Sequence, residues 1–166
     1  MSASLLSQIQ NLARYNRRAN RVIYDACETL SHQELTRDRE VAFGSILGIL
    51  NHILVVDRTW LDRFTQTDRE PPKHNEVLHD NLPELRAARD AEDERIMEFC
   101  ESLKIAFLSC RFQYTDHYGV FRHDGADVLV LHFFNNQTHH RSEVHHMLVR
   151  SGATEQSLDL HRLLHP

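Results

Sequence analysis

Residues 131–148 read LHFFNNQTHHRSEVHHML, and this stretch decides how the rest of the sequence is interpreted. It contains five histidines and one glutamate in what we interpret as a single long helix. At ~100° per residue, Asn136 and His140 fall inside the apolar stripe of that helix, and Glu143 lies beside it. Polar groups that face a core are costly unless they are paired or bound to something. Because imidazoles four residues apart on a helix can bind one metal ion, we expect the functional site here.

The length, composition and charge of the chain exclude several classes of protein. With 166 residues the chain is long enough for one domain with a proper core, and we expect a single domain over residues 1–166. The hydrophobic fraction of 41% and the charged fraction of 26% are ordinary for a globular protein. The net charge of -5 argues against general nucleic-acid binding, which needs clustered basic side chains.

Cysteine usage and hydropathy indicate where the protein is located. Cys27, Cys100 and Cys110 show no CxxC spacing, and an odd number without a framework suggests reduced thiols. None of the three has the surroundings expected of a nucleophile. The first residues do not resemble a secretory signal, and no apolar run approaches the ~18 residues that span a bilayer. We therefore expect a cytoplasmic protein without a membrane segment.

Hydrophobic spacing and the scarcity of glycine and proline predict an all-α fold with four long helices. A short helical turn is expected within residues 31–40, and the mixed apolar and aromatic pattern of residues 106–124 predicts a small β-hairpin before the last long helix. The apolar tail is expected to pack back on the domain. Such lengths are typical of a four-helix bundle, in which metal sites often lie between facing helices. The predicted long helices cover residues 4–30, 45–64, 81–103 and 126–151.

Two groups of polar residues need a separate interpretation within this fold. Asn16 and Asn20 lie on the apolar stripe of the first helix, so they are either hydrogen-bonded core asparagines or groups that support a nearby polar site. The third helix is strongly charged, and we interpret its charged residues as a face in contact with solvent. These residues include Glu84, Arg86, Arg89, Asp90, Glu92, Asp93, Glu94 and Arg95.

Three segments, taken in order, resemble the DinB-like family: NRRAN at 16–20, GILNHILVVDRTWL at 48–61 and HFFNNQTHHR at 132–141. The resemblance implies a four-helix bundle, often a homodimer, with a divalent metal, zinc or nickel, bound by three histidines. One of these histidines comes from the second long helix, and the others form an HxxxH pair on the last. In the wider superfamily the assigned activities are metal-dependent transfer or isomerisation with low-molecular-weight thiols such as bacillithiol, mycothiol or glutathione.

Carried over by position, the resemblance assigns the metal site to His52, Asn136 and His140. Asn136 stands where the family has the first histidine of the pair, and an amide oxygen is a weaker donor to zinc or nickel than an imidazole nitrogen. Three arrangements are open: Asn136 is a weak third ligand, or another side chain replaces the imidazole, or the site is a polar core without metal. The candidates for the replacement are His132, His139 and Glu143.

Two functions follow from these arrangements. The first is a metal-dependent enzyme, a thiol transferase or related hydrolase, that acts on a small electrophile and has a pocket between the second and fourth long helices. In it, a metal would lower the pKa of the substrate thiol. The second is a non-catalytic bundle that has lost its metal and serves as a small-ligand binding or interaction module. Asn136 is the feature that favours the second function.

Overall fold

The computed structural model describes residues 2–165, which fold into seven helices and one two-stranded sheet. The helix and strand bounds are α1 (Ser2–Cys27), α2 (His32–Thr36), α3 (Ile46–Thr65), α4 (Leu82–Ser102), α5 (Ile105–Leu108), β1 (Arg111–Thr115), β2 (Phe121–Gly125), α6 (Ala126–Arg150) and α7 (Leu160–Leu164). The four long helices agree with the predicted ranges to within a few residues at each end. The short helix α5 was not predicted.

Local sequence signals explain where the long helices begin and end. The side chain of Ser45 accepts a hydrogen bond from the amide of Gly48, and Asn81 caps α4 in the same way. Such caps satisfy amide donors that have no partner in the first turn. Past the end of α6, Gly152 adopts a φ of 74°, the left-handed conformation that glycine tolerates best.

The long helices pack pairwise, and each contacts two others. Helix α1 lies against α4 and α6, and α3 lies against the same two helices from the other side. Two apolar clusters form the core, one around Ile46 and Leu148 and the other around Ile96 and Phe133. The chain is mostly helical, and its apolar core consists of two clusters that follow one another along the long helices. None of the helices within residues 2–165 contains an apolar stretch of the length that a bilayer-spanning segment needs.

A buried polar network separates the two apolar clusters. Arg89 on α4 pairs with Asp57 on α3 at 2.5 Å and with Asp93 at 3.0 Å. Gln137 on α6 donates to Asp57 at 2.7 Å. All four long helices contribute, because Asn16 and Asn20 of α1 both bond to Asp93 on α4 and to Arg141 on α6.

This network decides two of the sequence-based interpretations. Asn16 and Asn20 are hydrogen-bonded core asparagines, the first of the two alternatives. The interpretation of the α4 charges as a solvent-contacting face is wrong for Arg89, Glu92 and Asp93, each only 2% exposed. These charges lie inside because each has a partner of opposite sign or a hydrogen bond, and this offsets their desolvation.

The predicted hairpin and tail are both confirmed. Strands β1 and β2 pair antiparallel, with Arg111 opposite Gly125 and Thr115 opposite Phe121. Strand β2 ends at Gly125, which is also the N-cap of α6, so the hairpin runs directly into the last long helix. The tail returns to α1, where the Tyr15 hydroxyl donates to the carbonyl of Leu158.

We expect Arg89→Met to destabilise the protein by about 3–5 kcal/mol, because the carboxylates of Asp57 and Asp93 would stay buried without their cation. Urea unfolding followed by circular dichroism measures this free energy. The matched control is Arg86→Met on the same helix, whose guanidinium pairs with exposed carboxylates and should contribute less than ~1 kcal/mol. Equal losses in the two variants would contradict the assignment.

Candidate metal centre

A cavity of about 560 Å³ opens between α3 and α6, where the enzyme hypothesis requires a pocket. We call it the α3–α6 cavity. The loop of residues 66–81 and the β-hairpin cover its remaining sides. Its lining includes Val56, Trp60, Arg63, Pro72, Lys73, His74, Tyr114, Asp116, His117, His132 and Asn136.

Beside this cavity, two of the three predicted ligands meet. His52 is only 2% exposed, and its ring centre lies 4.6 Å from that of half-buried His140, with the rings almost perpendicular. Asn136 lies one helical turn before His140 and lines the cavity. Its Oδ1 is buried and accepts no hydrogen bond from the residues that the structure describes. A buried amide oxygen without a donor is costly and is available to a cation.

In both histidines Nδ1 lies next to a hydrogen-bond acceptor. Nδ1 of His52 lies 3.2 Å from the carbonyl oxygen of His74, and because a carbonyl only accepts, Nδ1 carries the proton. Nδ1 of His140 lies 3.3 Å from the Glu143 carboxylate. Metal-bound histidines usually donate the second ring nitrogen to such an acceptor. Nε2 of each ring thus has no proton, and its lone pair could bind a metal.

Phe43 packs against one face of the His52 ring. The two rings stack at 3.7 Å and 13°, and Phe43 meets His140 edge-on at 5.8 Å. To do so, Phe43 adopts a φ of 64°, which is unfavourable for a bulky residue. Its carbonyl would lie 2.0 Å from a Cβ at position 48, so only Gly48 permits this approach.

The loop that covers the cavity is bound to α3 by Asn51, the neighbour of His52. Asn51 is 1% exposed; its Nδ2 donates to the carbonyl of His79, and its Oδ1 accepts from the amides of Leu78 and His79. The same loop carries His74, whose ring centre lies 4.7 Å from that of His52. From the hairpin, His117 stacks on His74 at 4.5 Å.

Sequence reasoning missed these supporting residues. His74 is an exposed residue, yet its ring lies beside that of His52. Neither the loop nor the hairpin turn has a period from which such a contact could be predicted. The asparagine directly before His52 was the one available signal, since a buried polar residue needs a partner.

The three proposed replacements for the missing imidazole differ in position. His132 packs on Trp60 at 5.7 Å and is exposed. His139 is 66% exposed at its side chain. Together with His140 and Glu143, His139 forms a cluster whose ligand atoms lie within 4.8 Å of one another, a spacing that could hold a metal ion at the edge of the site.

Burial sets the protonation of the site. Desolvation lowers the pKa of His52 to about 4 and also lowers the pKa of His140, so both imidazoles are neutral at pH 7 and can donate to a metal. Burial raises the pKa of the Cys27 and Cys100 thiols to about 12, which agrees with the expectation that neither is a nucleophile.

The donors present fit a divalent metal. Neutral imidazole nitrogens suit zinc and nickel, and the unpartnered Asn136 oxygen adds a weaker donor. Fold and site together define a helical protein with a candidate metal centre between two of its long helices. The model of the DinB family matches residues 1–166, and the chain belongs to this family. A search of curated proteins finds no match.

We expect the His52 ring to titrate near pH 4 in the metal-free protein, which nitrogen and proton NMR of the imidazole would measure. Because this pKa lies below the ordinary value of 6.5, the unfolded chain takes up the proton first. Stability should therefore fall as the pH drops from about 6.5 to about 4, and His52→Gln should flatten that dependence. A midpoint near 6.5 would contradict the burial of this ring.

Proposed function

We propose that this chain is a four-helix-bundle metalloenzyme that binds zinc or nickel and transfers a low-molecular-weight thiol to a small electrophile. His52, Asn136 and His140 are the proposed ligands. The observation that carries the proposal is the orientation of the two imidazoles, each with Nδ1 held by an acceptor and Nε2 left for a metal. The pairwise packing of α1, α3, α4 and α6 supports the bundle.

A divalent metal at this position supplies a Lewis acid, which lowers the pKa of a thiol or of water. The residues of the chain itself hold and position the reactants. Asn136 lines the cavity and has a buried Oδ1 without a donor among the described residues, and Glu143 keeps His140 in one tautomer. Phe43 and the loop of residues 66–81 cover His52 and shield it from bulk water.

The charge of the α3–α6 cavity favours a substrate with carboxylates. The Arg63 guanidinium lies 4.8 Å from the Trp60 ring centre and 4.9 Å from that of Tyr114, and Lys73 adds a second cation. The nearby Asp116 carboxylate is already bonded to Arg122. Glutathione and similar thiols carry carboxylates, so this cavity suits them.

A second candidate function is a metal-free binding or interaction module, and the amide at position 136 favours it. In that case the Asn136 oxygen would accept a hydrogen bond from a small ligand in the cavity. Either function includes a homodimer, as the family resemblance implies. Exposed Val128 and Leu131 on α6 offer apolar surface for such an interface, and sedimentation velocity of the full chain tests it.

Elemental analysis of untagged protein should find about one zinc or nickel ion per chain, and His140→Ala should lose it. The matched control is His145→Ala on the same helix, whose ring contacts the carbonyl of Gln156, and this variant should keep its metal. If the wild-type protein held no metal even after incubation with both ions, the result would contradict the metalloenzyme and favour the metal-free binding module.

Arg63→Gln should raise KM for glutathione by roughly 10-fold or more, because a charge-assisted hydrogen bond to a carboxylate would be lost. KM for 2-mercaptoethanol, which has no carboxylate, should change little, and steady-state kinetics with a chromogenic electrophile compares the two thiols. A similar change for both thiols would argue against carboxylate recognition by Arg63.

A further inference from the structure

Three metal-ligating side chains of α6 come together beside the ligands proposed above. His139, His140 and Glu143 each offer one ligand atom, and these atoms all lie within 4.8 Å of one another. Within the part of the chain that the structure describes, no other three histidine, cysteine or carboxylate side chains have this spacing. We call this group the edge site, and we call His52, Asn136 and His140 the inner site.

Glu143 brings the edge site together, because it follows His139 by four residues and His140 by three. Side chains at these spacings are neighbours on a helix. Its Oε1 lies 3.7 Å from Nε2 of His139, and its Oε2 lies 3.3 Å from Nδ1 of His140. Donors bound tetrahedrally at ~2.0–2.2 Å from one zinc ion lie roughly 3.3–3.6 Å apart. The edge site thus already has nearly the spacing of ligands around one ion.

The donors of the edge site suit zinc in kind as well as in spacing. Two imidazole nitrogens and one carboxylate oxygen are a donor set that zinc uses in proteins, with a fourth position left for water. The inner site offers a weaker set, because Asn136 supplies an amide oxygen. The Glu143 carboxylate also brings a negative charge, which the inner site lacks.

The edge site is open to solvent on one side and held in place on the other. The side chain of His139 is 66% exposed and that of Glu143 is 35% exposed, and a surface depression that both line opens beside them. The His140 ring is held by its neighbours, since it lies 4.6 Å from the His52 ring and meets Phe43 edge-on at 5.8 Å. A metal ion can therefore arrive from solvent and meet a ligand that is already positioned.

His140 belongs to both sites, but through different ring nitrogens. The inner site uses Nε2 and leaves Nδ1 to donate to Glu143, whereas the edge site uses Nδ1. A neutral imidazole has one lone pair and one N–H group, so the ring serves one site at a time. The two sites are therefore alternative positions for a single ion.

We propose that His139, His140 and Glu143 form a second divalent-metal site at the surface of α6, which binds zinc without the help of His52. The proposal goes beyond the proposed function and does not depend on it, because the edge site shares only His140 with the inner site. The side chains that distinguish the two sites are His139 and Glu143 on one hand and His52 on the other.

The test is the zinc affinity of the full, untagged chain, measured by competition with a chromophoric chelator. His52→Ala disables the inner site and should still bind zinc. Adding His139→Ala or Glu143→Gln should weaken that binding by at least ~10-fold, the lower end of what loss of even an outer-shell partner costs. The matched control adds His145→Ala instead, whose ring contacts the carbonyl of Gln156, and it should leave the affinity of His52→Ala unchanged.

Two results would overturn the edge site: equal zinc affinity with and without the His139 side chain in this background, or no zinc binding by a folded His52→Ala protein. Circular dichroism checks the fold, and His52→Gln provides the same comparison if His52→Ala does not fold. The proposed function is judged separately, by the wild-type protein against His52→Ala. If loss of the His52 ring left the zinc affinity unchanged while His139→Ala weakened it, the inner site would be contradicted and the edge site would stand.

Discussion

The ion pair between Arg89 and Asp57 is the constraint on which the rest of the structure depends. Both side chains are fully buried between two apolar clusters. Asp57 also accepts a hydrogen bond from Gln137 of α6, and Arg89 also pairs with Asp93, to which Asn16 and Asn20 of α1 donate. Moving any one long helix by a turn would remove a hydrogen-bond or ion-pair partner from a buried charged side chain, which is destabilising. The polar network therefore restricts both the register and the rotation of the helices more strongly than apolar contacts alone would.

The geometry of the candidate site depends on this fixed register and rotation of the helices. Gln137 is bonded to Asp57, which fixes the rotation of α6 at that point. Its neighbour Asn136 then lines the cavity, and His140 follows one turn later beside His52. On α3, Gly48 leaves room for the backbone of Phe43, and Asn51 bonds to the loop of residues 66–81. Both segments therefore lie next to His52. The structural network and the candidate site thus use neighbouring residues of α6, Gln137 for the network and Asn136 for the site.

The helices and the hairpin could be predicted from the sequence. Most of the residues that surround the candidate site could not. The periodic spacing of Ile46, Ile49 and Ile53 and the caps at Ser45 and Asn81 are local signals, so the long helices could be predicted closely. Buried charge is not a local signal. Nothing in the spacing of Arg89 or Asp93 distinguishes a charge paired with another helix from a charge in water.

The same reasoning separates the parts of the site. His52 and His140 lie on regular helices, and family resemblance located them. His74 and Phe43 lie in segments whose conformation depends on tertiary hydrogen bonds and, for Phe43, on a left-handed backbone that the residue type disfavours. A single sequence carries no periodic signal for such contacts.

The continuity of β2 with α6 at Gly125 has a mechanical consequence. The hairpin wall of the cavity and the helix that carries His140 are one uninterrupted piece of chain, while hydrogen bonds from Asn51 make the covering loop and α3 a second piece. The two pieces are bonded to each other, because Arg63 of α3 donates to the carbonyl of Thr115 in β1 and Gln137 of α6 donates to Asp57 of α3. A ligand that pushed the hairpin and α6 away from α3 and its loop would therefore have to break these hydrogen bonds, so the walls of the cavity resist expansion.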